Sequence, residues 1–278
     1  MMDVFSDTIC TLGEGPLWHP ERNAFFWFDI LSNKLFCKAE TETMWEFDEN
    51  VSAAGWVDHD TLLIASQTAL WRFDIPTGEQ EFVAGLESDN ETTRSNDGRA
   101  DPQGGFWIGT MGHNAEPHAG AIYRYYRGEL RKLFDKITVS NSICFAPDGS
   151  TAYFTDTRSR KVQRVALDAD GWPKGKAEVF LDLWSENLNP DGSVVDAAGN
   201  LWNAQWGASR VAVYAPNGDF LRAIAVPASQ STCPAFGGPD LQTLLVTSAA
   251  KGLDEQQGGM TFVTDIGVTG QREYQVIL

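Results

Sequence analysis

The 278-residue sequence predicts an all-β protein, a six-bladed β-propeller around a central channel, and three observations carry that prediction. Ten tryptophans and 26 glycines occur with few long apolar helical patterns, which is the composition of a turn-rich β protein. Aromatic or aliphatic doublets that follow a turn recur at Phe26-Trp27, Leu63-Ile64, Phe106-Trp107, Tyr153-Phe154, Leu201-Trp202 and Leu245-Val246. Their second members are 37, 43, 47, 48 and 44 residues apart. A unit of this length with about four strands has the size of a propeller blade, and six units close a ring. The whole chain, 1–278, reads as one such domain, because 42% hydrophobic residues can fill a substantial core.

The elements of each unit follow in a fixed order. Each doublet opens a strand, and a further strand follows a short polar turn, as in "LWRFD" (70–74), "AIYRYY" (121–126), "VQRVAL" (162–167) and "VAVYAP" (211–216). Apolar and polar residues alternate there, so one face of each strand meets a core. The turn before each doublet is His19-Pro20-Glu21-Arg22, Asp58-His59-Asp60, Asp101-Pro102-Gln103-Gly104, Pro147-Asp148-Gly149, Asp196-Ala197-Ala198-Gly199 or Gly238-Pro239-Asp240. Upstream of each turn lies one more short strand, the innermost of its blade. Five or six residues before each turn stand Glu14, Ala53, Asn96, Asn141, Asp191 and Cys233. At about 3.3 Å per residue that offset spans the strand, so the six positions ring one mouth of the channel. Asn96-Asp97-Gly98 and Asn189-Pro190-Asp191-Gly192 therefore read as channel ends of innermost strands, although their spelling is that of a turn. Pro147-Asp148-Gly149 is a true turn.

Composition excludes several functions. With 21 Lys+Arg against 38 Asp+Glu the net charge is −17, which argues against nucleic acid or an anionic membrane as partner. The beginning of the chain shows no signal-peptide pattern, and no apolar run reaches membrane-spanning length. Cys10, Cys37, Cys144 and Cys233 are scattered without CxxC pairing, and they read as reduced thiols of a cytoplasmic protein. His19, His59, His113 and His118 fall at turns or in a Gly-rich loop and read as surface residues, with His113 and His118 nearest the mouth.

The ring brings Glu14, Asn96, Asn141 and Asp191 together, two carboxylates and two amides without imidazole or thiolate. Such oxygen donors suit Ca²⁺, Mg²⁺ or Mn²⁺ better than a structural zinc. Arg94, two residues before Asn96, reaches the same mouth. No Ser-His-Asp order with a nucleophile elbow is present, so a covalent acyl-enzyme is not expected.

The stretches "LGEGPLWHP", "TRSNDGRADPQGGFWIGTM", "VSNSICFAPDGSTAYFTDT", "NPDGSVVDAAGNLW" and "FGGPDLQTLLVTSA" resemble the gluconolactonase family that includes regucalcin (senescence marker protein) and luciferin-regenerating enzyme. The likeness runs from about residue 10 to about residue 268. It implies a six-bladed propeller that hydrolyses a sugar lactone to the aldonic acid with one divalent metal ion. Ca²⁺ comes first, with Zn²⁺, Mn²⁺, Mg²⁺ and Fe²⁺ as alternatives. By this resemblance Glu14, Asn141 and Asp191 are metal ligands and Asp191 is also the catalytic base. Arg94, Asn96 and Glu116 are substrate contacts. The chain departs from the pattern at Ser142, where Gly is usual, and in a shorter 112–119 loop, which weakens the match at Glu116. A calcium-binding regulator without turnover, a protein-binding platform, and a hydrolase of other lactones or phosphotriesters are the competing readings.

Overall fold

The computed structural model describes residues 2–278. A short strand, β1 (Asp3–Ser6), precedes the first blade. That blade is β2 (Gly13–His19), β3 (Ala24–Asp29), β4 (Lys34–Lys38) and β5 (Glu42–Glu46). The second is β6 (Val51–Asp58), β7 (Thr61–Ser66), β8 (Ala69–Asp74) and β9 (Gln80–Gly85). The third is β10 (Thr93–Ala100), β11 (Phe106–Gly112), β12 (Gly120–Tyr126) and β13 (Glu129–Ile137). The fourth is β14 (Ser140–Phe145), β15 (Thr151–Asp156), β16 (Lys161–Leu167) and β17 (Pro173–Asp182). The fifth is β18 (Asn189–Val195), β19 (Leu201–Trp206), β20 (Arg210–Tyr214) and β21 (Phe220–Ala225). The sixth is β22 (Ser231–Gly237), β23 (Thr243–Ser248) and β24 (Thr261–Asp265), completed by β1. All pairs are antiparallel, and the fold is the expected six-bladed propeller.

Each doublet sits in the second strand of its blade, and its two members serve opposite faces, as strand geometry requires. Leu63 packs toward the third blade with Phe106 and Ile108, whereas Ile64 packs toward the first with Phe26 and Phe28. Trp107 likewise meets Phe154 across the third and fourth blades, while Tyr153 meets Leu201 across the fourth and fifth. A strand sandwiched between two neighbouring blades needs apolar side chains on both faces, which is why the repeat shows a doublet instead of alternation. The fourth strands are solvated and carry charge, as in "ELRKLFDKI" of β13, which blunts their exposed edges.

The ring closes through a pairing that no repeat pattern announces: β1 forms the outer strand of the sixth blade, with Asp3 opposite Val263 and Val4 opposite Phe262. The far end of the channel is covered by the segment after β24. Gln271 donates to the carbonyls of Phe145 and Val195, Val276 N–H to Trp56, and Ile277 N–H to Gly104. Glu273 forms a buried ion pair with Arg99 at 2.5 Å. Between this segment and the innermost strands only about 30 Å³ remains, room for a water. The usable opening is therefore at the ring end.

All four cysteines are free, and burial pushes the Cys10 and Cys37 thiols up to about 12 and about 11. His19 overturns the surface reading: it is completely buried beside Phe26 and Trp56. The turn that holds it is capped by its own ring, which accepts from Arg22 N–H through Nδ1 and donates to Asp58 O through Nε2. Among the described residues no helix is long and apolar enough to cross a membrane.

Candidate active site

In all six innermost strands the ladder is irregular at the ring position: it breaks just after Glu14 and just after Asn141, the break encloses Asn96, Asp191 and Cys233 in their strands, and in β6 it shifts just before Ala53. The register jumps between Glu14 and Leu17, Ser95 and Gly98, Asn141 and Cys144, and Pro190 and Ser193. A bulge bends the strand and re-aims its side chains, so residues that would otherwise face a neighbouring blade turn to the axis. Two glycines permit this. Gly15 has φ +56°, and a Cβ there would meet the carbonyl of Ser52. Gly192 lies so close to Cys233 that a side chain would strike its Sγ. The "GEG" and "PDG" spellings thus record a backbone requirement beside each acid.

The result is a cavity of about 540 Å³ with Glu14, Arg94, Asn96, Asn141 and Asp191 in its wall. These five are buried, between 3% and 5% exposed. Ala53 and Cys233, the other ring positions, do not line it; Ala53 faces Gly98 and Cys233 faces Gly192. Glu116 also stands outside the wall. Its carboxylate accepts from Asn114 N–H and Nδ2 at 3.0 Å each and closes its own loop, leaving Ala115 on the cavity side. Neither His113 nor His118 lines the cavity.

A chain of oriented polar groups links three blades. Arg94 Nη1 donates to Asn96 Oδ1 at 2.8 Å, and Asn96 Nδ2 donates to Asn141 Oδ1 at 3.1 Å. Asn141 Nδ2 donates to Thr157 Oγ1 at 3.0 Å, and that hydroxyl donates to Pro190 O at 2.8 Å. The direction of the chain holds Asn141 Oδ1 as an acceptor with one lone pair to spare. Arg94 Nε is buried with no partner. Beneath Asn141, the Ser142 hydroxyl donates to the Asp191 carbonyl and accepts from Ser193 Oγ at 3.0 Å.

The charges are strained as they stand. Burial, and then the charge of Asp97, push Glu14 up to about 8; burial, then Glu14 and Asp97, raise Asp191 well above the carboxylate range. Burial also lowers Arg94 to about 10, against the pull of Glu14. Asp97 itself, holding Ile143 N–H at 2.7 Å, is pushed up by burial to about 6. Among the described residues no three His, Cys, Asp or Glu side chains cluster as a metal site. A cation here would take two carboxylates and one amide oxygen. That set fits a hard divalent ion, whose charge offsets the burial and mutual repulsion that raise the proton affinity of both acids.

Residues 12–250 match the family model described as the SMP-30/gluconolactonase/LRE-like region. The chain belongs to this family. It is 40% identical, over 97% of its length and 95% of the other, to a Rhizobium meliloti (strain 1021) protein provisionally named a sugar lactone lactonase. It is 35% identical to an L-arabinolactonase of Azospirillum brasilense, over 94% of this chain and 90% of that one. A crystal structure of regucalcin from Agrobacterium tumefaciens, described as a calcium-binding protein, superposes with a TM-score of 0.98 at 43% identity. The alignment covers 100% of this chain and 98% of that one.

Sequence reading of this SMP-30/gluconolactonase/LRE-like propeller missed part of the wall: Thr157, Arg158, Asn189, Trp206 and Lys251 also line the cavity. A signal existed for most of them. The strand opened by each doublet runs back to the ring end in about six residues, so the loops at 157–158, 206 and 251 must stand around the mouth.

Proposed function

We propose that the protein hydrolyses a sugar lactone to the aldonic acid, with a divalent cation, Ca²⁺ in first place, held by Glu14, Asn141 and Asp191. The observation that carries this reading is the pair of buried acids, Glu14 and Asp191, on the floor of an open cavity beside an arginine and two amides. Relatives named as lactonases across nearly the whole chain support it. When bound, the cation supplies Lewis-acid polarisation of the lactone carbonyl and stabilises negative charge on its oxygen.

The protein's own groups do the rest. Arg94 and Asn96 bind sugar hydroxyls and fix the ring over the acids. Asp191 takes a proton from the attacking water, whose oxygen bonds to the carbonyl carbon. The ring C–O bond then breaks, the departing ring oxygen takes up a proton, and the product leaves as a hydroxy acid. A calcium-binding role without turnover would use the same ligands but leaves Arg94 and Asn96 without a task.

A panel of aldonolactones, pentono and hexono, followed by acid release with and without chelator, tests the reading. Turnover that vanishes on chelation and returns with metal is expected. Glu14→Gln should weaken metal binding, read by elemental analysis after dialysis, because the amide keeps an oxygen but loses the charge. Asp191→Asn should keep some metal, since an amide still offers an oxygen, yet lose about 10²- to 10⁴-fold in kcat. No turnover of any lactone at any metal loading refutes the proposal, and recovery of Asp191→Asn at saturating metal removes the base role.

A further inference from the structure

The cavity inverts the charge balance of the chain. Acids outnumber bases 38 to 21 overall, yet the wall holds three bases, Arg94, Arg158 and Lys251, against two acids, Glu14 and Asp191. The acids lie buried on the floor, whereas Arg158 and Lys251 are exposed on the rim. Arg158 belongs to the short 3₁₀ turn Thr157–Ser159 after β15, and its backbone N–H is fixed by the Asp156 carboxylate at 3.1 Å. Lys251 follows β23, and its backbone N–H is anchored to Thr11 O at 3.1 Å. The backbones are held while the side chains are left unengaged: among the described residues neither cation has a carboxylate within 4.0 Å. By contrast Arg160, two residues on, is committed to Asn189 Oδ1 and the Trp184 ring.

A cation on the floor would neutralise the two acids and leave the rim bases uncompensated. We infer that the preferred substrate is a sugar lactone bearing an anionic group on the carbons remote from the ring carbonyl, read by Arg158 and Lys251. An aldaric acid monolactone, whose far end is a carboxylate, is the simplest example, and a phosphorylated aldonolactone shares the chemistry. A guanidinium pairs two oxygens of such a group in its fork, and the ammonium adds a movable charge. The same pair raises the local concentration of anions that the negative body of the protein repels. This inference rests on the lactonase reading above.

The test compares kcat/KM for glucaric acid monolactone, 6-phosphogluconolactone and neutral gluconolactone on the metal-loaded protein at low and high ionic strength. An anionic lactone should be favoured by about tenfold or more, with the advantage shrinking in salt. Its identity separates carboxylate from phosphate recognition. Arg158→Gln/Lys251→Gln should lose about tenfold or more on that lactone and far less on gluconolactone. Equal turnover of charged and neutral lactones, or equal losses in the variant, overturns the inference while leaving lactone hydrolysis standing. Calorimetric binding of glucarate against gluconate supplies the arm independent of turnover. Tighter binding of glucarate that the double variant abolishes supports the rim site, and indifference to the extra carboxylate refutes it even if no lactone is hydrolysed.

Discussion

Ser142 is where this chain departs from the glycine that the family resemblance leads one to expect, and two opposing effects meet there. The residue is completely buried with φ +60°, a left-handed conformation that costs an L-residue about 1–2 kcal/mol relative to glycine. Its hydroxyl donates to the carbonyl of Asp191 and accepts from Ser193 Oγ and Asn203 Nδ2, tying β14 to β18 directly behind the site. Ser142→Ala keeps the backbone cost and removes those bonds, so it should destabilise by about 1–3 kcal/mol. That corresponds to about 2–12 °C in Tm for a chain of this size. Ser142→Gly loses the same bonds but relieves the backbone, and it should lie about 1 kcal/mol above the alanine variant. Both should lower kcat by roughly tenfold at saturating metal, because the Asp191 carbonyl loses a donor and the carboxylate shifts by a fraction of an ångström. Urea denaturation and lactone turnover of the three proteins decide the matter. Alanine as stable as glycine would show that the left-handed conformation carries no cost here. A wild-type kcat in both variants would show that the hydroxyl does not position Asp191.

His19 makes stability depend on pH. Its buried ring is held neutral, with a folded pKa lowered by burial to about 4 from 6.5, so only the unfolded chain binds the proton between those values. Its stabilisation is complete above pH 6.5 and is lost as the pH falls toward 4, by up to about 3 kcal/mol. His19→Gln should flatten that stretch of a stability-against-pH curve, and an unchanged slope would exclude His19 as its source. Arg124 is fully buried between the Tyr126 and Trp172 rings and bonded to Asp101 at 2.6 Å and 3.2 Å. Arg124→Met leaves the Asp101 carboxylate buried without its ion partner and should cost about 3–5 kcal/mol in urea denaturation. A cost below 1 kcal/mol would mean that Gln103 and Gly105 N–H groups alone satisfy Asp101.

What the sequence determined by itself follows from periodicity. The doublets mark the strand that is buried on both faces, and a constant offset from each turn locates the same height on every innermost strand. Hence the blade number and the convergence of Glu14, Arg94, Asn96, Asn141 and Asp191 were legible, because a strand of fixed rise turns sequence distance into position. Three things were not. Closure by β1 joins residues some 260 positions apart, and no local pattern encodes that pairing. Glu116 carries the right spelling, but its direction is set by Asn114 in the short 112–119 loop, which no periodicity governs. His19 looks like any polar turn residue until the second blade packs Trp56 against it and supplies the Asp58 carbonyl. Whether a polar side chain at a turn faces water or another blade depends on what the rest of the chain brings to it, and only the tertiary structure decides that.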